Sequence, residues 1–309
     1  MGSLKGKHIL HGNQFTPKEI ETIIRVASEF EKEIKHKSSI SLLKGKILAT
    51  LFFEPSTRTR LSFEVAIQRL GGGVIGMGSV ESSSVAKGET LSDTVRTVSQ
   101  YADVIVLRHP RIGAAKEAAE VSAVPVINAG DGAGQHPTQA LLDLYTIRKE
   151  VGKLKGLTIS LVGDLKYGRT VHALVELLSH YQTRLFFVSP PLLRMPEEIT
   201  SNLKAKGLEV VETEDLMEAA SRSDLIYMTR IQKERFSDLS EYEKVKGSFI
   251  IDQDFLSQLK KKVVLLHPLP RVDEIHPEVD TYPGAAYFRQ VRNGIFVRMA
   301  LLAMILGKR

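Results

Sequence analysis

The fold is decided by one stretch of the sequence, Ile47-Leu48-Ala49-Thr50-Leu51-Phe52-Phe53-Glu54-Pro55-Ser56-Thr57-Arg58-Thr59-Arg60. Its apolar first half predicts a buried parallel strand. From Thr57 onward a helix is predicted, because apolar residues recur on one face and Gly71 marks the stop. Helix N-termini leave backbone N–H groups unpaired and carry a partial positive charge, and arginine offers a planar fork for phosphate oxygens. The stretch therefore predicts an anion site, with a Ser N-cap followed by solvated arginines as the ordinary alternative.

The composition predicts a soluble globular protein with room for two domains. The chain has 309 residues, of which 43% are hydrophobic and 25% charged. Its net charge of +6 is spread along the chain and it has no Trp, so small anionic ligands are favoured over nucleic acid. No apolar run is long enough for a membrane span, and no signal core is visible at the N-terminus. The absence of Cys excludes disulfides, thiolate catalysis and Cys-ligated zinc in this chain, and we expect a cytoplasmic location.

Apolar strand-like runs alternate with helical patterns, which predicts an α/β fold built on parallel sheets. In the first half we expect strands at 47–53, 74–77, 103–107 and 124–127, and helices at 17–36, 57–70, 90–101, 113–120 and 137–150. In the second half we expect strands at 157–162, 184–188, 208–211, 224–228, 249–251 and 262–266. The polar stretches 79–90 and 232–247 predict mobile loops.

Chemically active side chains follow several of these strands, and open α/β sheets bind ligands at the carboxyl ends of strands. His136 and Gln139 stand three residues apart at the entrance of a helix, although a lone histidine there is as readily structural. Four arginines stand at or just beyond strand ends, namely Arg58, Arg108, Arg169 and Arg230. Together they indicate multiply charged anions held between two domains.

Other classes of site match the sequence poorly. Gly163 and Gly168 do not have the dinucleotide-binding spacing, and Arg169-Thr170 stands where a P-loop requires Lys followed by Ser or Thr. No metal-ligand spacing stands out, so we expect neither a metal nor a cofactor. Lys87 lies in a polar loop, where a solvated lysine is the ordinary interpretation.

Taken in order, the motifs resemble those of the catalytic chains of the aspartate carbamoyltransferase family, over essentially the whole length. The segments that carry the resemblance are 53–60 (FEPSTRTR), 107–110 (LRHP), 136–139 (HPTQ), 163–170 (GDLKYGRT) and 267–271 (HPLPR). The resemblance implies two domains, each a mostly parallel sheet flanked by helices. It places a carbamoyl phosphate-binding domain at 1–134 and 288–309, with the C-terminal helix packing back on it, and an aspartate-binding domain at 135–287.

The resemblance also implies an activity, the transfer of a carbamoyl group from carbamoyl phosphate to the amine of L-aspartate, which is the committed step of pyrimidine biosynthesis. The residues it assigns to carbamoyl phosphate are Ser56, Thr57, Arg58, Thr59 and Arg108. The residues it assigns to polarising the carbonyl group of this substrate are Thr59, Arg108 and His136. The residues it places in contact with the carbamoyl amide are Gln139, Leu269 and Pro270. Those it assigns to the aspartate carboxylates are Arg169, Arg230 and Gln232.

Ser83 and Lys87 match loop residues that, in the family, reach the neighbouring subunit's site, so a homotrimer with shared active sites is implied. Lys87 thereby joins Arg58, Thr59, Arg108 and His136 in the catalytic set. Ala86 stands where better-known members have a second lysine. The sequence leaves open whether regulatory chains bind; the zinc of such chains would be ligated by the partner, since this chain has no Cys.

Two alternatives remain at this stage. Ornithine carbamoyltransferases share the STRTR site, but they place Cys where this chain has Pro268. Arg169 and Arg230 suit a dicarboxylate acceptor better than a cationic one. The second alternative, a non-catalytic scaffold that binds carbamoyl phosphate, is disfavoured by retention of every matched residue.

Overall fold

The computed structural model describes residues 4–77, 84–132 and 134–309, and the chain divides into two compact units. The first unit comprises Met1–Leu142 and Val291–Arg309, and the second comprises Asp143–Gln290. The domain bounds implied by the resemblance lie a few residues from these divisions. The functional division they describe stays a prediction.

Each unit is built on one parallel sheet. The strands of the first unit are β1 (Ile47–Phe52), β2 (Gly73–Gly76), β3 (Val104–His109) and β4 (Val126–Asp131), in the order β2-β1-β3-β4. The strands of the second unit are β5 (Thr158–Val162), β6 (Arg184–Val188), β7 (Glu209–Thr213), β8 (Leu225–Met228) and β9 (Val264–Leu266), in the order β7-β6-β5-β8-β9. Because every pairing is parallel, the carboxyl ends of neighbouring strands lie along one edge of each sheet.

The helices alternate with the strands, as the pattern predicts. They are α1 (Pro17–His36), α2 (Thr57–Arg69), α3 (Leu91–Val98), α4 (Ala114–Val121), α5 (Pro137–Val151), α6 (Arg169–Leu178), α7 (Glu197–Ala205), α8 (Leu216–Arg222), α9 (Leu239–Val245), α10 (Gln253–Ser257) and α11 (Tyr287–Ile305). No helix in the described part of the chain is long and apolar enough to cross a bilayer.

The end of the chain returns to the first unit, as expected. The Arg298 guanidinium of α11 is buried, donates to the Ser62 hydroxyl at 2.8 Å and lies 5.0 Å from the centre of the Phe63 ring. At the other end of the helix, the carbonyl of Ile305 accepts the Gly6 N–H at 2.9 Å. Both contacts pack α11 against elements of the first unit.

The prediction of a strand at 249–251 is wrong. Ile251 forms only an isolated bridge with Ile275. Its N–H donates to the Glu274 carbonyl at 2.9 Å, and its carbonyl accepts the His276 N–H at 2.9 Å. The apolar triplet misleads because Ile251 is buried whereas Ile250 is 45% exposed. A single buried residue then pairs with an irregular segment and does not extend the sheet.

The loop predicted at 232–247 is also wrong in part, because this stretch contains the short 3-10 helix Lys233–Arg235 and the helix α9. Asp238 starts α9 by accepting the Ser240 N–H at 2.8 Å, and Val245 is buried at the other end. An Asp cap and one apolar anchor are sufficient for two turns in an otherwise polar stretch. Within the other predicted loop, Ser84–Lys87 forms a 3-10 helix, and 79–83 lies outside the described residues.

Asp103 joins β1 and β3 at the ends where the strands begin. Its carboxylate accepts the Ile47 N–H at 2.8 Å and pairs with the Lys46 ammonium at 2.7 Å. Burial alone would raise the pKa of this carboxyl, but the hydrogen bonds from Lys46 and Ile47 hold it below its ordinary value.

We expect Asp103→Asn to lower the free energy of unfolding by about 1 kcal/mol at neutral pH, since it weakens hydrogen bonds to a charged, partly exposed group. Because the folded-state pKa is depressed, this stabilisation is fully present above the unfolded-state pKa of about 3.9 and is lost as the pH falls through the folded-state value. Urea unfolding of both proteins between pH 3 and 7 measures the difference, which should shrink in acid. Glu120→Gln, on the exposed side of α4, is the matched charge control. A difference that does not change with pH would contradict the assignment.

Candidate active site

The N-terminus of α2 follows β1 after a short loop and has the features of an anion site. Ser56 holds the N-cap position with extended backbone, and its side chain makes no capping hydrogen bond. The first turn contains no acidic residue, so no side chain of that turn offsets the partial positive charge of the helix end. Thr59 is buried, whereas Thr57 and Arg58 are exposed. The ordinary interpretation of Ser56 as a side-chain cap therefore does not describe this helix.

Arg108 lies beside this helix end because β3 is the direct neighbour of β1. Its Cα is in register with Phe52, and its carbonyl accepts the Phe53 N–H at 2.8 Å. The guanidinium is almost fully buried, donates to the Ala129 carbonyl at 3.3 Å and lies 3.3 Å from the Glu54 carboxylate. These contacts preorganise a cation next to the start of α2.

Asp131 anchors the loop that leads from β4 to His136. Its carboxylate accepts the N–H groups of Gln135 at 2.8 Å and of Gly113 at 3.0 Å. Gly132 donates its N–H to the His109 carbonyl at 2.9 Å, which ties the loop to the end of β3. A side chain at Gly132 would place its Cβ 2.6 Å from the Pro110 carbonyl oxygen, so only glycine permits this approach.

His136 and Gln139 stand at the entrance of α5, as the spacing predicts. The His136 carbonyl accepts the N–H groups of Gln139 at 3.0 Å and of Ala140 at 3.3 Å, and the His136 side chain is buried. β4 is the neighbour of β3, so this entrance lies along the same sheet edge as Arg108 and the start of α2. The structure therefore brings Ser56, Thr57, Arg58, Thr59, Arg108, His136 and Gln139 to one edge of the first unit.

The loop residues expected to serve a neighbouring subunit are not part of that set. Lys87 is exposed at the end of the 3-10 helix Ser84–Lys87 and makes no hydrogen bond or ion pair with any of the described residues. Ser83 lies outside the described residues.

The second unit has its own cationic edge, which begins at the turn after β5. Gly163 has φ +109°, and a Cβ there would lie 2.2 Å from the Thr229 carbonyl oxygen. Glycine therefore allows β5 to end close against β8. The turn delivers Arg169 to the first position of α6, where its side chain is partly buried.

Asp164, in the same turn, holds Gln232 in place. One oxygen of the buried carboxylate accepts the Tyr167 N–H at 2.9 Å, and the other accepts from the Gln232 side-chain amide at 3.4 Å. Burial raises the pKa of Asp164, while hydrogen bonds from Tyr167 and Gln232 oppose the shift. Gln232 also donates to the Tyr167 carbonyl at 3.4 Å.

Arg230 follows β8, the neighbour of β5, and forms a two-point contact with Glu234. One guanidinium nitrogen donates to the Glu234 carboxylate at 3.1 Å and a second nitrogen donates to its other oxygen. Hydrogen bonds from Arg230 hold the pKa of the Glu234 carboxyl below its ordinary value. A fork already set for one carboxylate presents the geometry that a substrate carboxylate requires.

The segment after β9 completes this edge of the second unit. Leu269 has φ +57° and a cis bond to Pro270, and it is partly buried whereas Pro270 is exposed. Since β5, β8 and β9 are neighbours in that order, Arg169, Arg230, Gln232, Leu269 and Pro270 follow the carboxyl ends of adjacent strands. Each unit thus carries one of two groups of predicted site residues.

Two family models match the chain. Residues 7–149 match the model of the carbamoyl-P binding domain of aspartate/ornithine carbamoyltransferase, and residues 155–305 match the model of its Asp/Orn binding domain. The chain belongs to the aspartate/ornithine carbamoyltransferase family. The polar sheet edges of the two units are therefore those of a carbamoyltransferase.

Individual relatives within this family are similar over almost their full length. The aspartate carbamoyltransferase catalytic subunit of Thermococcus kodakarensis is 57% identical over 303 residues, which cover 98% of each chain. The solved structure of aspartate transcarbamoylase from Trypanosoma cruzi with N-(phosphonacetyl)-L-aspartic acid matches with a TM-score of 0.94 at 46% identity, covering 98% of this chain and 97% of that one. The Trypanosoma cruzi enzyme in complex with carbamoyl phosphate and aspartate matches with a TM-score of 0.94 at 45% identity, covering 98% of each chain.

Three acidic residues that contact predicted site residues of this carbamoyltransferase, and a fourth that holds the loop before His136, were not identified from the sequence. The three are Glu54 beside Arg108, Asp164 beside Gln232 and Glu234 beside Arg230, and the fourth is Asp131 at the end of β4. Only the pair of Arg230 and Glu234 carries a signal, the four-residue spacing of an intrahelical ion pair. The other three pairings depend on loop paths that no local pattern specifies.

Proposed function

We propose that the protein transfers the carbamoyl group of carbamoyl phosphate to the amine of L-aspartate, giving N-carbamoyl-L-aspartate and phosphate. The observation that carries the proposal is the edge of the first unit, where the uncapped start of α2 adjoins the buried, preorganised Arg108. Backbone N–H groups at a helix start and a guanidinium fork are the donors that a phosphate requires. Relatives at about half identity include an enzyme solved with both substrates.

Carbamoyl phosphate would bind to the first unit through Ser56, Thr57, Arg58, Thr59 and Arg108. The neutral amine of aspartate attacks the carbonyl carbon, which forms the new C–N bond and turns the carbonyl oxygen into an oxyanion. Thr59, Arg108 and His136 donate to that oxygen. The intermediate then collapses: the bond between the carbon and the phosphate oxygen breaks, its electron pair leaves with the phosphate, and the departing phosphate takes the proton from the amine nitrogen. Positioned donors of this kind typically contribute about 3–4 kcal/mol each to the transition state.

The remaining assignments concern orientation and the acceptor. Gln139, Leu269 and Pro270 would hold the carbamoyl amide. Arg169 and Arg230 would bind the two carboxylates of aspartate, assisted by Gln232. Two guanidinium groups suit a dicarboxylate and repel the cationic side chain of ornithine. The chain also has no Cys for an ornithine-type HCLP motif.

The test is an assay of purified protein with carbamoyl phosphate and a panel of amines that includes aspartate and ornithine, in which ureido product and phosphate are both measured. Aspartate should be carbamoylated with one phosphate released per product. Turnover of ornithine but not aspartate would contradict the acceptor assignment. Binding of carbamoyl phosphate in calorimetry without turnover of any amine would favour a scaffold.

We also propose a homotrimer in which Ser83 and Lys87 of one chain serve the site of the next. Lys87 is exposed and makes no hydrogen bond or ion pair with the described residues of its own chain, which suits a role in a neighbouring site. We propose further that the protein is located in the cytoplasm and acts in pyrimidine biosynthesis. Zinc-bearing regulatory chains are a further partner to test by co-purification, and no nucleic acid, membrane or cofactor is invoked.

Mixing inactive Lys87→Ala chains with inactive His136→Ala chains should restore a measurable fraction of activity, because some sites in mixed trimers then contain both native residues. Native mass spectrometry verifies that mixed trimers form, and the carbamoylation assay measures the recovery. A mixture of Arg108→Ala and His136→Ala chains is the control, since both residues belong to one chain's sheet edge and no native site results. Failure of the first mixture to recover activity would contradict the shared site.

A further inference from the structure

Leu269 has a backbone conformation that the local sequence does not favour. Its φ of +57° lies in the left-handed region, and it is the only non-glycine residue with positive φ in the described part of the chain. For a residue with a bulky side chain this conformation costs free energy and persists only where the surroundings enforce it. The surroundings of Leu269 must therefore hold it in this conformation.

The imidazole of His267 holds the backbone of Leu269. Its Nδ1 accepts the Leu269 N–H at 2.8 Å, so Nδ1 carries no proton and the proton of the neutral ring resides on Nε2. Nε2 lies 2.7 Å from a carboxylate oxygen of Glu274 and donates to it. The ring is 1% exposed, and both of its nitrogens are engaged.

Glu274 is itself fixed, so it sets the tautomer of the ring. Its second carboxylate oxygen accepts the N–H groups of Val272 and Asp273, each at 3.2 Å. Burial alone would raise the pKa of Glu274, but the hydrogen bond from His267, together with backbone amides, holds it below its ordinary value. An ionised Glu274 accepts from Nε2 and leaves Nδ1 free of a proton to accept from Leu269.

The backbone of His267 is anchored by a second set of buried groups. Its N–H donates to the Gln290 side-chain oxygen at 3.0 Å, and the Gln290 amide donates to Asp143 at 2.6 Å. Tyr227 donates its hydroxyl to the other oxygen of Asp143 at 2.8 Å. Gln290 and Asp143 are at most 1% exposed, so the network keeps the ring in place from the interior of the second unit.

We propose that His267 is a positioning residue that aims the backbone of Leu269 and Pro270 at the amide of carbamoyl phosphate. The proposal rests on the proposed function, which assigns Leu269 and Pro270 to that amide. His267 touches no reacting atom in this scheme. It acts by holding the Leu269 N–H, which restrains the backbone that carries the Leu269 and Pro270 carbonyl groups, and these would accept hydrogen bonds from the substrate amide.

Two substitutions distinguish the contributions of the two ring nitrogens. In His267→Asn the side-chain oxygen replaces Nδ1 and still accepts the Leu269 N–H, whereas in His267→Gln the side-chain amide replaces Nε2 and reaches Glu274 but leaves Leu269 without its acceptor. Two ligands then distinguish a specific loss of binding to the amide from a general weakening of ligand binding. Carbamoyl phosphate carries the amide, and acetyl phosphate has a methyl group in its place.

His267→Gln should weaken the binding of carbamoyl phosphate about 10- to 100-fold and leave that of acetyl phosphate nearly unchanged. His267→Asn should keep most of the preference for carbamoyl phosphate. The dissociation constants are measured by calorimetry, and kcat and KM by the carbamoylation assay. Equal weakening of both phosphates by His267→Gln, or no change in their ratio, would overturn the positioning role.

If His267→Gln does not fold, the same two dissociation constants measured for Glu274→Gln test the positioning role. It keeps the shape of the carboxylate but removes the charge that orients the ring. The ratio of the dissociation constants of carbamoyl phosphate and acetyl phosphate should therefore shift in the same direction, by a smaller factor. An unchanged ratio in folded Glu274→Gln would then overturn the proposal. Failure of the wild-type protein to bind carbamoyl phosphate would instead contradict the proposed function.

Discussion

Replacing Arg58 with alanine should lower kcat/KM for carbamoyl phosphate about a thousandfold without unfolding the protein. Two hydrogen bonds from a guanidinium to a phosphate contribute about 1.5–3 kcal/mol each, and each 1.4 kcal/mol is worth a factor of ten. The side chain is exposed in the first turn of α2, where alanine is well tolerated. Circular dichroism and the thermal midpoint should therefore match those of the wild type.

The matched control is Arg60→Ala, which removes the same charge from the same helix. Arg60 donates to Glu64 at 2.8 Å, a four-residue pair that lies along the helix. Its loss should cost less than about tenfold in kcat/KM, because a partly exposed ion pair contributes about 1 kcal/mol or less. Equal losses in the two variants would indicate a general electrostatic effect, and wild-type activity of Arg58→Ala would contradict its role at the phosphate.

Replacing Arg230 with alanine should raise KM for aspartate and lower kcat/KM for aspartate about a thousandfold, with little change in the dissociation constant of carbamoyl phosphate. The fork of Arg230 is held by Glu234 in a two-point contact, the geometry that a substrate carboxylate would take over. Losing two charge-assisted hydrogen bonds to substrate accounts for the size of the effect. Steady-state kinetics with aspartate varied, and calorimetry with carbamoyl phosphate alone, measure the two effects separately.

Arg222→Ala is the control for this variant. Arg222 pairs with Glu218 at 3.2 Å with the same four-residue spacing, but on α8, outside the predicted site. Its kinetics should be those of the wild type. If Arg230→Ala weakened carbamoyl phosphate and aspartate to the same extent, its assignment to the acceptor would be wrong.

Much of the fold follows from local patterns that the sequence displays directly. The apolar runs that form β1, β3, β5 and β8 are almost wholly buried, so they show the continuous hydrophobic pattern of a parallel strand. The stretch 249–251 has the same pattern over three residues but exposes Ile250. Short apolar runs fail as predictors because strand pairing depends on a partner distant in sequence.

Part of the predicted site, including Arg58, Arg108, Arg169 and Arg230, follows from the place of its residues after strands, whereas the family resemblance supplied the others. Parallel strands align their carboxyl ends, so a residue type and a strand end suffice to group Arg108 with Ser56 and Thr59. The acidic partners also stand at or beyond strand ends, but the sequence does not indicate which group each of them contacts. Glu54 reaches Arg108 because it follows the end of β1, which is the direct neighbour of β3, and Asp164 reaches Gln232 across two strand ends. Such pairs follow from loop paths, which the whole unit determines.

The sequence by itself determined the alternation of strands and helices and the family, and it predicted the side chains that would bind two anions, because these depend on residue type and short-range spacing. Only the tertiary structure decided how those side chains are held. It showed that Ser56 does not cap α2 with its side chain, that Arg230 is already forked to Glu234, and that His267 holds Leu269 in a left-handed conformation. The partners in these contacts are near one another in sequence, but their geometry is set by the packed unit around them. The backbone of His267, for example, is held by a buried hydrogen bond to Gln290, 23 residues away.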